Sequence, residues 1–144
     1  MRNPRAAPPF AAARRDAMSI AKIIAAHPDA GAHKHEIALA VRHAMFCAAI
    51  CTSCADADSA EEMDMRQCIR TCLDCADICT ATARVAIRQT GENDAVTRAM
   101  LETCVAACDA CGEECERHEH DHCRLCAEMC RECARDCRAA IESL

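Results

Sequence analysis

The chain has 144 residues, a formal net charge of −6, and 16 cysteines, with Phe10 and Phe46 as its only aromatic side chains. That length predicts a single domain with one core, and the acidic balance argues against a nucleic-acid partner or an anionic membrane surface. Ala, Glu, Arg and Asp dominate the rest, which favours helix over sheet, so cysteine itself must supply much of the buried surface.

Cysteine at this density predicts a disulfide scaffold or a metal site, and the compartment decides between them. The Arg14-Arg15 pair is followed by Asp16 and by an apolar run over 20–26 that Lys22 interrupts. That pattern is too short and too broken for an export signal. No run reaches the roughly 18 apolar residues of a transmembrane helix. The expectation is a cytoplasmic protein with reduced thiols and no membrane partner.

Residues 1–17 combine Pro4, Pro8 and Pro9 with an aperiodic Ala/Arg mixture and read as a disordered arm, with Met18 as a second plausible start. Ile20, Ile23 and Ile24 predict a short extra helix that stops at His27-Pro28. Residues 1–31 are therefore expected to be an arm with a short helix, and 32–144 the main body. His27, His33 and His35 are expected at the surface.

A first long helix is predicted over 32–55. Stepping back by three and four gives Cys54, Cys51, Cys47, Ala44, Ala40 and Ile37, one stripe with thiols only in its C-terminal half. His43 falls beside that stripe and reads as a partly buried histidine with a polar partner. Residues 56–59 should break the helix, and Ser59-Ala60-Glu61-Glu62 fits a capping box for the next one. The second helix runs to about residue 90 and stops at Gly91. It carries Met65, Cys68, Cys72, Cys75, Cys79, Thr82, Ala83 and Ala86 on its inward face. Met63 is expected at the rim.

The third helix, capped by Asn93 or Asp94, carries Met100, Cys104, Cys108, Cys111, Cys115 and His118. A His-rich break over 117–122 leads to the fourth, capped by Asp121, with Cys123, Cys126, Cys130, Cys133, Cys137, Ile141 and Leu144. Four long helices with short loops predict an all-α, antiparallel up-down-up-down four-helix bundle. Alternating direction then sorts the ends. Ile37, Val41, Val85, Leu101, Ile141 and Leu144 form an apolar plug at one end. Met65, His118, His120 and His122 gather at the other.

Helical i,i+4 cysteines have Cβ atoms about 5–6 Å apart, whereas a disulfide needs about 3.5–4.5 Å. A metal with bonds of about 2.3 Å to each sulfur spans such a pair. Soft thiolates select Cu(I), zinc or iron–sulfur clusters. Continuous stripes lack the closed groups of four of structural zinc, and no cysteine precedes a proline as in bacterial ferredoxin motifs. Multiple Cu(I) ions sharing thiolates fit the pattern, in a non-enzymatic store. An iron–sulfur or other thiol-based redox protein and a zinc buffer are the alternatives.

The Cys-x-x-x-Cys pairs on all four helices, the Cys75-Ala76-Asp77-Ile78-Cys79 segment and the His-rich turn before Cys123 resemble the cytosolic bacterial copper storage proteins, over about residues 18–142. The resemblance implies homotetrameric bundles loading many Cu(I) ions along the core. It also implies copper ligation at the open mouth by histidines of the last turn, matched here by His118, His120 and His122. The chain departs from that pattern at Asp58, where a further thiol could extend the stripe, and at Met65, which offers a thioether.

Overall fold

The computed structural model describes residues 19–30 and 34–144; the arm expected over 1–17, Met18 and His33 lie outside the described residues. Its helices are α1 (Ile20–Ala25), α2 (Lys34–Ser59), α3 (Arg66–Ala86), α4 (Asp94–Cys115) and α5 (Asp121–Ser143). Among the described residues there is no strand. The long helices pack in a ring, α2 on α3, α3 on α4, α4 on α5 and α5 back on α2, while α1 lies against α2. Short connections make successive helices antiparallel, giving the up-down-up-down bundle.

The inward stripes are those the three- and four-residue spacing demands. On α3 the buried residues are Cys68, Cys72, Cys75, Ala76, Cys79, Thr82, Ala83 and Ala86. Thr82 is the one hydroxyl among them, and it is satisfied by donating to the Ile78 carbonyl at 2.8 Å. On α2 the buried row runs from Ile37 through Val41, Ala44, Cys47 and Cys51 to Cys54. Length and composition would let α2 cross a membrane, although the sequence shows no uninterrupted apolar run of that size. Its apolar row is the wall of the bundle core.

Three helix boundaries differ from the sequence expectation. The polar segment 56–59 does not break α2, which continues through Ser59. Asp58 stands four residues beyond Cys54 on the inward row, and both it and Ala55 are buried, so the packed face carries the helix onward. The capping box at Ser59 consequently does not form. Ser59 closes α2 instead, its Oγ donating to the Asp56 carbonyl at 2.6 Å. The next helix starts at Arg66, whose N–H donates to Asp64 Oδ1 at 3.1 Å.

At its other end α3 stops at Ala86, not near residue 90. The Gln89 amide donates to the Ala86 carbonyl at 3.0 Å. Gly91, with φ +73°, provides a left-handed turn within the following connection. Asn93 and His120 occupy the N-cap positions of α4 and α5 without side-chain caps. Asp121 is thus the first helical residue of α5 and not its cap.

The apolar end has two tiers. Ile37, Val41 and Leu101 are buried there, while Ile141 and Leu144 pack against them only partly covered. Outside lies a cleft of about 570 Å³ lined by His27, Asp29, Val85, Gly91, Asp94 and Leu144, among others. His27 is held in it by Thr90, 3.1 Å from its Nε2. Across the α2–α5 seam His43 pairs with the carboxylate of Asp136, the polar partner its position beside the stripe implied.

Candidate metal centre

All 16 cysteines are free and buried, because every helix turns its three- and four-residue row inward. The sulfurs of 13 of them form one connected column. Cys133 Sγ lies 3.9 Å from Cys104, Cys104 3.7 Å from Cys79, and Cys79 3.7 Å from Cys108. Cys108 lies 3.9 Å from Cys47, itself 3.7 Å from Cys51. Cys51 lies 3.9 Å from Cys111, Cys111 3.6 Å from Cys72, and Cys72 3.7 Å from Cys115. Cys75, Cys126 and Cys130 flank this path at 3.6–3.8 Å. Cys68 joins at 3.7 Å from Cys115. Cys137 lies beyond Cys133 at the apolar end, one helical turn further along α5.

These separations are those of packed thiols. Two sulfurs bound linearly to one ion by 2.3 Å bonds would stand about 4.6 Å apart, and three around one ion about 4.0 Å apart. Three-sulfur sharing therefore needs less movement than the linear i,i+4 bridge the spacing suggested. Groups of four also occur, contrary to the impression of ungrouped stripes. Cys47, Cys51, Cys75 and Cys130 make one, and Cys51, Cys111, Cys126 and Cys130 another. They overlap, however: Cys51 and Cys130 belong to both. The column is a chain of shared groups and not a set of closed knots.

Neighbouring thiols also set one another's acidity. Contact with Cys108 holds Cys75 down at about 7, and Cys108, Cys130 and Cys133 lower Cys47. Cys51 is pushed up by Cys111, Cys126 and Cys130. The cause is simple: S–H donors stabilise the first thiolate, and each thiolate then opposes ionisation next to it. Cations replacing the protons would relieve that opposition.

The open end lies where the α2–α3 and α4–α5 connections meet. His120 and His122 stack there with ring centroids 5.2 Å apart. His122 Nδ1 faces Cys54 Sγ and Cys123 Sγ, each at 3.5 Å, and its Nε2 lies 3.0 Å from Glu61 Oε1. Burial pulls the His122 imidazolium down. Hydrogen bonds to Cys54 and Glu61, with the charges of Cys54 and Asp58, outweigh it and leave the pKa above the ordinary imidazole value. His120 Nε2 lies 3.2 Å from Met63 Sδ.

His118 is not brought to this cluster. Because α4 ends at Cys115, the helical row does not extend to it. It pairs with Glu114, Nε2 to Oε1 3.3 Å, and lines a separate groove with Arg124, Ala127 and Arg131. Met65 is buried at the start of α3, while Met63, expected only at the rim, is the methionine that meets an imidazole. Asp58, Glu61 and Met63 were missed as partners of the mouth. Asp58 carried a signal, its place four residues past Cys54; the loop residues Glu61 and Met63 carried none.

An all-helical bundle whose core is a continuous column of reduced thiols, rimmed by imidazoles, defines a protein built to hold several soft metal ions at once. A family profile described as copper storage protein matches residues 33–142, and the chain belongs to that family. A copper storage protein from Streptomyces lividans, in a structure loaded with 10 copper equivalents, is 43% identical, with a TM-score of 0.84, covering 87% of this chain and 99% of the other. A second structure, of a cytosolic copper storage protein of that organism with five coppers, is 46% identical, with a TM-score of 0.76, covering 78% and 97%. The cysteine-rich protein YhjQ of Bacillus subtilis is 34% identical over 61 residues, covering 42% of this chain and about half of that relative, 53%.

Proposed function

We propose that this chain is a cytoplasmic, non-enzymatic store that holds multiple Cu(I) ions on the thiolates of Cys47, Cys51, Cys54, Cys68, Cys72, Cys75, Cys79, Cys104, Cys108, Cys111, Cys115, Cys123, Cys126, Cys130, Cys133 and Cys137. The observation that carries this reading is the sulfur column, in which 13 of the 16 thiols lie 3.6–3.9 Å from a thiol of a neighbouring helix. Cu(I) accepts two or three thiolates and can share each with another ion, which a column permits and a closed knot does not. His120 and His122 admit the ions at the mouth, and Met63 takes the thioether role first expected of Met65. His118, held by Glu114, contributes less. The bundles assemble as a homotetramer; Phe46, Leu73, Val96 and Leu125, each about half exposed, supply apolar area for contacts between them.

Titration of the reduced protein against a chromophoric Cu(I) chelator tests the reading. Tight uptake on the order of one ion per cysteine is expected, with saturation at one or two equivalents refuting it. A brown purified protein with stoichiometric iron would instead favour the iron–sulfur alternative, because Cu(I) thiolate is colourless.

A further inference from the structure

At the apolar end, far from the mouth, the cleft between the α1–α2 and α3–α4 connections is built on a fixed frame. His27 Nδ1 accepts the Asp29 N–H at 3.1 Å, so its Nε2–H donates to Thr90 Oγ1, also at 3.1 Å. Both ring nitrogens are thereby committed to holding the two connections together, and Gly91 turns the second of them with φ +73°. A cleft of about 570 Å³ is of the size that holds ligands and peptide side chains.

Its lining has two characters. Val85, Ile87 and Leu144 are only half-buried there, beside the buried Ile37. Asp29 and Asp94 are exposed on it, and among the described residues neither carboxylate enters an ion pair. Arg88 is the only lysine or arginine of the lining. An occupant that matches this surface must bring apolar bulk next to positive charge.

We propose that the occupant is this chain's own N-terminal segment, with Phe10 on the apolar floor and Arg14 and Arg15 beside Asp29 and Asp94. The composition of that segment complements the cleft. Phe10, one of two aromatic side chains in the chain, follows Pro8-Pro9 and precedes three alanines. Prolines restrict the chain and so lower the ordering cost of docking. Arg2, Arg5, Arg14 and Arg15 against Asp16 give residues 1–17 a charge of +3, so within the total of −6 the rest of the chain carries −9.

Connectivity permits the docking. Ser19 caps α1, and Ala26 ends it, about 10 Å away along the helix. Asp29 is at most about 10 Å further on. Arg15 and Arg14 precede Ser19 by four and five residues, about 14–17 Å of extended backbone, and the long side chains cover the remainder; Phe10, nine residues back, has about 30 Å of reach. Docking in this way adds a layer over the apolar tier, and no metal takes part in it.

Hydrogen exchange read by mass spectrometry on the full-length, reduced, metal-free protein tests the proposal. Amides of 5–16 and of the 87–94 connection should both exchange at least about tenfold more slowly than an unstructured chain. Phe10→Ser should abolish the protection of 5–16 and reduce that of 87–94 by about threefold or more, with helicity unchanged because Phe10 lies outside the bundle. Combined Arg14→Glu and Arg15→Glu should do the same, as should Asp29→Asn with Asp94→Asn, and salt raised to about 0.5 M should weaken the protection through screening. Unstructured exchange rates over 5–16 in the wild type, or protection that these variants leave unchanged, overturn the proposal. Protection that rises with protein concentration also overturns it, because the cleft is then filled by a second copy. Should the aspartate pair disturb the start of α4, Phe10→Ser alone decides.

Discussion

Replacing Cys108 by Ala separates a shared column from a set of closed metal knots. Cys108 Sγ sits at a crossing, 3.7 Å from Cys79, 3.8 Å from Cys75 and 3.9 Å from Cys47, and the residue is 0% exposed. If each thiolate serves two ions and each ion draws on two or three thiolates, losing one sulfur costs about one ion from a load near one per cysteine, because the neighbours still reach one another. If the ions sat in independent groups of four, the same change would abolish a whole group. Stability of the metal-free protein should fall by about 1 kcal/mol, since one small buried apolar group is lost and a small cavity left. Cu(I) titration against a chromophoric chelator reads the first quantity and urea unfolding the second. A loss of four or more equivalents with the fold intact would refute the shared column.

Other outcomes follow from the same geometry. Leu101→Ala, at the apolar end where Leu101 is 0% exposed, should cost about 3 kcal/mol in urea unfolding and leave copper capacity unchanged. The reduced metal-free protein should already be strongly helical by circular dichroism, because its packing rests on helix faces and not on ions, unlike a zinc finger; a random-coil spectrum would contradict this. Combining His120→Ala, His122→Ala and Met63→Leu should slow copper transfer to and from an external chelator by stopped-flow absorbance while most of the capacity remains. His118→Ala, which removes a residue tied to Glu114 in a separate groove, should change that rate far less.

Much of this architecture was legible because the cysteines mark the helical repeat themselves. Steps of three and four from Cys104 to Cys115 and from Cys123 to Cys137 admit no strand, and every thiol so placed is buried. The misreadings arose where polar residues were taken for punctuation or where a helical row was extended beyond its helix. Asp56 to Ser59 look like a terminator, yet Asp58 falls on the inward row and the packed face prevails over local propensity. The row through Cys115 points to His118, but the helix stops at Cys115 and the chain turns the imidazole toward Glu114. The meeting of Met63 with His120 has no periodicity behind it, because a loop places one of the two residues.

Core and cargo site are the same atoms, and that accounts for the division of labour along α2. Its first half buries Ile37, Val41 and Ala44, which hold the helix on its neighbours whatever the thiols bind. Its second half buries Cys47, Cys51 and Cys54, whose sulfurs pack as small hydrophobes when protonated and become ligands when they ionise. The thiol state costs little because Cys47 and Cys51 lie against other sulfurs and Cys54 against the His122 imidazole. An ionised column would be destabilised by its own repulsion. Loading should therefore exchange protons for metal cations with little change of backbone, since Ile37, Val41 and Leu101 stay buried at the far end whatever the thiols bind. A protein whose fold waited for its metal could not offer an empty column to be filled; a strongly helical metal-free protein by circular dichroism is therefore the expected result here.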